Sequence, residues 1–324
     1  LIDFFLPVYW NMINLQDIKA AADRIRPYAH ITPVLTSESI NEMVGAELFF
    51  KCENLQKVGA FKFRGATNAV FSLTDEEAAR GVATHSSGNH AQAVALAARY
   101  RGITAHIVMP RTARRVKIDA VRGYGGQIAL CEPTLKSRQE TLEQVVEKTG
   151  AVVIHPYNDW KIIAGQATAC LELMIQAPEL DAVMAPIGGG GLLSGTSLAV
   201  RGISPDTKVY GVEPKNADDA QRSFRSGKWV ESKDPVTVCD GLLTSLGDIT
   251  FEVIKANVTD ILTASEEAII AAMKLVWERM KMIIEPSSAV PLACLMEHPD
   301  VLAGKRVGII ITGGNVDLTD LPWN

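Results

Sequence analysis

The sequence predicts a parallel α/β protein with two sheet-based domains, the smaller inserted into the larger. Three observations carry that expectation. Apolar runs of strand length alternate with amphipathic stretches of helical period. Loops rich in glycine or small polar residues follow several of those runs, where an open parallel sheet presents its binding loops. The chain has 324 residues, 47% of them hydrophobic, which is enough apolar material for two cores, yet no Pro/Gly-rich linker divides it. A second domain without a linker is an insertion that the chain enters and leaves. We place it at residues 78–153, with 1–77 and 154–324 forming the larger unit.

Taken in chain order, GVATHS (81–86) leads into HAQAVALAARYRG, TAHIVMP (104–110) into ARRVKIDAVRGYG, and DAVMAPI (181–187) into GLLSGTSLAVRG. Each pair reads as a strand followed by a helix. QIALCE (127–132), AVVIHP (151–156), KVYGVEP (208–214) and KRVGIIIT (305–312) are further strands, while TLKSRQETLEQVVEKTG and SEEAIIAAMKLVWERMK read as surface helices. The opening LIDFFLPVYWN is apolar but short, contains Asp3 and Pro7, and lacks a basic start or a small-residue cleavage site. It is expected to be neither a spanning helix nor a signal peptide, with Met12 as the natural start.

A formal net charge of -5, with basic residues spread along the chain, provides no footprint for a nucleic-acid backbone. The five cysteines are far apart, without a CxxC pair or histidines at metal-ligand spacing, and are read as reduced thiols in a cytoplasmic protein.

Four loops carry chemistry. Gly188 to Gly191 follow an apolar run and open a helix, so backbone N–H groups and the helix N-terminus converge on an anion of phosphate type. The run is not a dinucleotide fingerprint, because the third glycine is missing, nor a Walker loop, because Thr196 follows Gly195 where lysine is required. Lys62 stands between Phe61 and Phe63, and an amine held against apolar rings loses its charge more readily and attacks an aldehyde better. Ser86, Ser87, Asn89 and His90 sit between a strand and a helix, a setting for a carboxylate and for proton transfer. Thr312 ends the last strand, where a hydroxyl meets a ring nitrogen. A lysine nucleophile, a phosphate cradle, a carboxylate loop and a ring-nitrogen partner together match what pyridoxal phosphate (PLP) requires.

The motifs KCENLQKVGAFKFRGA, THSSGNHAQA, IAGQAT, PIGGGGLLSG, GVEPKNADD, VWERMKMIIEP and TGGNVDL run in order between Leu15 and Leu318. On these the chain resembles the fold-type II PLP enzymes of the serine racemase and serine/threonine dehydratase group. The resemblance implies two three-layer domains of the tryptophan synthase β type. It implies that Lys62 is the Schiff-base lysine and the base on one face of Cα, with Ser87 as acid/base on the other. It further implies that Asn89 bonds the phenolic oxygen, Phe61 lies against the ring, and Thr312 contacts the pyridine nitrogen. Gly188, Gly189, Gly190 and Gly191 with Leu192 would hold the phosphate, and Ser86, Ser87 and His90 would surround the substrate carboxylate. Glu213, the Ala217 carbonyl and Asp219 are implied ligands of a divalent cation such as Mg²⁺, for which all-oxygen ligation suits. Some relatives bind ATP at the equivalents of Lys57, Gln92, Lys117, Lys281 and Asn315, making ATP a candidate effector, and the family is usually homodimeric.

The expected reaction is dehydration and deamination of L-threonine or L-serine to a 2-oxo acid and ammonia. Serine racemisation and 3-hydroxyaspartate ammonia-lyase activity are the alternatives within the family. A second substrate carboxylate would need a cation, and Arg111, Arg114, Arg115 and Arg138 are the candidates, although solvated helix faces explain them better. A hydroxyl at Thr312 is expected to leave the ring nitrogen largely unprotonated.

Overall fold

The structure, a computed structural model, describes residues 13–323, so the readings made for the opening eleven residues and Met12 lie outside it. Among the described residues, ten strands form two sheets. The larger takes β1 (Val34–Leu35), β2 (Glu47–Cys52), β7 (Ala182–Pro186), β8 (Lys208–Pro214), β9 (Asp260–Ala264) and β10 (Arg306–Ile311), in the order β1-β2-β10-β7-β8-β9. The smaller takes β3 (Val82–His85), β4 (Ala105–Pro110), β5 (Gln127–Cys131) and β6 (Val152–Val153), in the order β5-β4-β3-β6. All pairings are parallel except β1 with β2, which is antiparallel.

The central strand shows why the larger sheet needs helices on both faces. In β10, Val307, Ile309 and Ile311 join the core on one face and Ile310 the core on the other, so the run is apolar throughout rather than alternating. Helix Lys62–Phe71 precedes the smaller sheet in sequence but packs with it, since Phe63, Ala66, Ala69 and Val70 share a core with Val82, Ile107 and Met109. Its own back crosses helix Trp160–Gln176 at a glycine pair: a Cβ on Gly165 would meet Gly65 Cα at 2.6 Å. No described helix is long and apolar enough to cross a membrane.

Every strand proposed from the sequence is present, but AVVIHP contributes only Val152–Val153. This segment lies at the edge of the smaller sheet, pairs with β3 at Val152 and Val153 only, and is followed by Pro156. The sequence reading omitted β1 (two residues), β2, whose ELFFKC mixes charged with apolar residues, and β9 (DILTA).

Candidate active site

The loops after β3, β7 and β10 come together at the carboxyl ends of their strands, where Lys62 meets them. Residues 59–61 are pinned to the end of β10 by Phe61 N–H donating to Thr312 O (2.9 Å), Gly314 N–H to Gly59 O (2.9 Å) and a bridge between Ala60 and Gly313. This places Lys62 at the first turn of its helix, with the Phe61 ring 5.2 Å from Nζ. The Lys62 Nζ donates to the Pro156 carbonyl at 2.8 Å. Burial lowers its pKa from 10.5 to about 8, against a partly opposing pull from Glu285.

The tetraglycine turn lies under Tyr157. A Cβ on Gly189 would stand 2.3 Å from the Tyr157 ring, and one on Gly191 3.0 Å from its backbone. Gly190 has φ +86°, which a side chain would strain. The turn is held from behind by Thr250, whose hydroxyl donates to Gly189 O at 2.8 Å, and Gly191 begins helix Gly191–Ile203 with Leu192 buried beside it. Only glycine fits this cradle, and it presents N–H groups at a helix start, so the residues present fit a phosphate.

At the carboxylate loop, Gly88 N–H donates to Ser86 Oγ (3.3 Å), and Asn89 opens helix Asn89–Arg101. Ser87 is partly exposed and has no hydrogen-bond partner among the described residues. Asn89 Nδ2 donates to both carboxylate oxygens of Glu285 (3.0 and 3.1 Å), and Asn89 Oδ1 accepts from Asn315 Nδ2 at 2.8 Å. His90 is buried, and its Nε2 faces the Ile154 carbonyl at 3.1 Å. A carbonyl accepts only, so Nε2 bears the proton and the unpartnered Nδ1 offers a lone pair. Burial, then nearby Lys62, pushes the His90 pKa down to about 3. A neutral His90 has no N–H left for a carboxylate, which leaves Ser86, Ser87 and the helix N–H groups as its donors.

Thr312, the last of the four, is buried against Ser288, with the hydroxyls 2.8 Å apart. Glu213, at the end of β8, accepts from the N–H groups of Ala220 (3.2 Å) and Gln221 (2.8 Å). Asp219 Oδ2 is buried with no hydrogen-bond partner among the described residues. Burial pushes the Asp219 pKa up to about 6; burial and the neighbouring Asp219 raise that of Glu213. Glu213 and Asp219 are thus two buried carboxylates on either side of Ala217 in the sequence, oxygen groups of the type a hard divalent cation takes. Of the five residues considered for ATP, Gln92, Lys117 and Asn315 line one cavity of about 400 Å³, whereas Lys57 stacks on the Tyr100 ring (4.7 Å) and Lys281 caps its own helix by bonding Glu278 O (2.5 Å). In that cavity Lys117 is already paired with Asp240 at 2.5 Å.

Sequence reasoning missed several groups at the site. Glu285 lies in the quoted motif VWERMKMIIEP but was given no role there, and Ser288 and the Pro156 carbonyl belong to none of the quoted motifs. Arg64, two residues after Lys62, is fully buried and anchors a cluster with buried Lys51 and Glu53 and partly buried Glu172: its guanidinium grips Glu53 (2.6 and 2.8 Å) and Glu172 (2.7 and 2.8 Å), while Lys51 Nζ bonds Glu172 at 2.6 Å. Charged residues of this kind read as surface in a sequence.

Comparison with known proteins agrees with this geometry. The family model described as pyridoxal-phosphate dependent enzyme matches residues 25–313. A β-hydroxyaspartate dehydratase of Paracoccus denitrificans is 53% identical over 320 residues, covering 99% of this chain and 100% of its own. A serine racemase of Dictyostelium discoideum is 50% identical over 314 residues, covering 95% of this chain and 97% of its own. The crystal structure of the Dictyostelium enzyme superposes with a TM-score of 0.91 over 94% of this chain and 99% of that one. With the family matched along most of its length, this chain belongs to the pyridoxal-phosphate-dependent enzymes of fold type II.

Proposed function

We propose that this enzyme eliminates water from 3-hydroxyaspartate to leave an enamine that water then hydrolyses, so that the net reaction releases ammonia and the corresponding 2-oxo acid. Dehydration of L-serine or L-threonine and racemisation of serine are lesser outcomes of the same site. The observation that carries the choice is Arg138. It lies on helix Leu135–Thr149, where its charge adds to burial, the larger cause, in lowering the pKa of His85, and its Nε is buried without a hydrogen-bond partner among the described residues. His85 directly precedes the carboxylate loop. A guanidinium with an unpartnered Nε there suits a second carboxylate, which serine and threonine lack. The name of the 53% identical relative supports the same substrate.

Pyridoxal phosphate, bound here, supplies an electron sink that acidifies the Cα proton. Lys62 would carry it, Gly188 to Gly191 with Leu192 would hold its phosphate, Phe61 would lie on its ring, and Asn89 and Thr312 would bond its phenolic oxygen and ring nitrogen. Lys62 Nζ takes the Cα proton. A pKa of about 8 leaves roughly a tenth of the amine neutral at pH 7, against about one part in three thousand at the ordinary value. Ser86, Ser87 and the N–H groups opening helix Asn89–Arg101 hold the α-carboxylate, and Arg138 the β-carboxylate. Departure of the Cβ hydroxyl as water leaves an enamine, whose hydrolysis gives the 2-oxo acid and ammonia. Proton return from Ser87 on the opposite face gives the other enantiomer instead. Glu213, the Ala217 carbonyl and Asp219 would hold a divalent cation of Mg²⁺ type, and the cavity at Gln92, Lys117 and Asn315 would take an effector such as ATP once Lys117 is released from Asp240. The working form is taken to be a homodimer.

The test compares kcat/KM for 3-hydroxyaspartate, L-serine and L-threonine, in the parent and in Arg138→Gln. Loss of a charge-assisted pair worth about 1.5–3 kcal/mol raises KM for 3-hydroxyaspartate by at least about tenfold and leaves serine nearly unchanged. Preference of the parent for serine or threonine, or an equal effect of the variant on all three, refutes the assignment.

A further inference from the structure

With Thr312 as the proposed partner of the ring nitrogen, we infer that Ser288 makes Thr312 a hydrogen-bond acceptor, so that this chain holds the nitrogen in its protonated form. Ser288 occupies the third position of helix Pro286–Glu297 and is fully buried; Thr312 is buried beside it. Three polar atoms surround Ser288 Oγ: Gly313 N at 2.8 Å, Gly313 O at 2.7 Å and Thr312 Oγ1 at 2.8 Å.

Counting protons leaves one arrangement. The Gly313 N–H can only donate, so it takes one lone pair of Ser288. The Gly313 carbonyl can only accept, and two oxygens 2.7 Å apart with no proton between them repel. The single Ser288 proton therefore lies on that contact. The contact between the two hydroxyls also needs a proton, and only Thr312 has one to give. Ser288 then accepts twice and donates once, which is its full capacity, and Thr312 is left with lone pairs alone. A lone pair stabilises an N–H and repels a bare pyridine nitrogen.

The neighbours hold this arrangement in place. Gly313 O also accepts from Glu285 N–H (3.0 Å), and Gly313 itself is bridged to Ala60. Without Ser288, the Thr312 proton would have no acceptor in that direction and would turn towards the ring. A protonated ring draws charge from Cα more strongly, which favours proton exchange at Cα relative to immediate loss of the β-hydroxyl. This reverses the expectation drawn from a bare hydroxyl at Thr312.

The experiment loads the full-length chain with cofactor labelled with ¹⁵N at the ring position and reads the nitrogen resonance by NMR. The parent is expected at the protonated position, and Ser288→Ala shifted towards the unprotonated one, with a larger share of 2-oxo acid relative to inverted amino acid. A parent resonance at the unprotonated position overturns the inference. So does a Ser288→Ala resonance that stays in place while Thr312→Val moves it, which would leave Thr312 as the nitrogen's partner. An unmoved resonance in Thr312→Val removes Thr312 from that role and takes the inference with it. Should Ser288→Ala fail to hold cofactor, Ser288→Cys, a much weaker acceptor, is read in its place with the same outcomes.

Discussion

Replacing Glu285 by Gln removes a carboxylate whose ionisation the fold resists, and the effect appears as pH-dependent stability. Glu285 is 5% exposed, and burial, followed by the nearby Asp240 carboxylate, pushes its pKa from 4.5 to about 7 despite the N–H bonds from Asn89. In the unfolded chain it ionises near the ordinary value. Between the two pH values the folded state keeps a proton that the unfolded state has released, so stability falls as pH rises. A gap of about 2.5 pKa steps at 1.36 kcal/mol each makes a penalty of at most about 3 kcal/mol, present in full above pH 7 and absent below about pH 4.5. Gln never ionises and escapes it. An unfolding entropy of about 2.1 cal/mol/K per residue makes 1 kcal/mol worth roughly 1.5 °C in a chain of this size, so the variant should melt about 4 °C above the parent at pH 8. The assay is thermal unfolding of the cofactor-free, full-length chain between pH 4.5 and 8.5. A difference in Tm that is the same at both ends would refute the claim that Glu285 titrates in this window.

Gly189→Ala places a methyl group where the Tyr157 ring lies 2.3 Å away, and cofactor retention after dialysis, read by absorbance, should fall at least about tenfold, with Tyr157→Ala in the same chain restoring part of it. Retention equal to the parent's would show that the cradle has room to spare. Arg64→Met leaves Glu53 and part of Glu172 as uncompensated buried charge, which costs about 3–5 kcal/mol and should appear as a fall in Tm of several degrees. An unchanged Tm would mean that water already reaches the cluster. Mg²⁺ at about 100 times its Kd should stabilise the parent by about 2.7 kcal/mol, reversibly with EDTA, and should do nothing for Asp219→Asn. A parent indifferent to Mg²⁺ would remove the cation from Glu213 and Asp219.

The four chemistry-bearing loops were legible because each is contiguous: a glycine run, a lysine between aromatic residues, a Ser-Ser-Gly-Asn turn and a strand-end threonine announce their chemistry within a few residues. The parallel strands were legible for the same reason, since a buried run such as VGIII is apolar at every position. The edge strands were less so. Val34–Leu35 is two residues long, and Asp260–Ala264 alternates with polar residues that any loop could carry. The buried cluster of Lys51, Glu53, Arg64 and Glu172 inverts the usual rule, because its charges are inside only by virtue of pairing with one another across the fold.

What was not legible is what decides between reactions. Lys62 finds its acceptor 94 residues away at Pro156, Asn89 finds Glu285 at a separation of 196, and Thr312 finds Ser288 at 24. None of these pairs shares a motif, and each sets a proton's position rather than a residue's identity. A threonine at the end of β10 reads as a donor until Ser288 and Gly313 stand beside it; their two short oxygen contacts then leave it only lone pairs. Arg138 similarly reads as a solvated helix residue, whereas in the fold its charge is felt at His85 and its Nε is buried without a partner among the described residues. On the proposed function, substrate choice and the fate of the Cα proton rest on two side chains at separate points of the site. A tenfold change in either preference corresponds to only about 1.4 kcal/mol, the scale of a single such hydrogen bond. Close relatives can therefore keep all four loops and still differ in the reaction they favour, and the bond partners of Thr312 and Arg138 are where such a difference is to be sought.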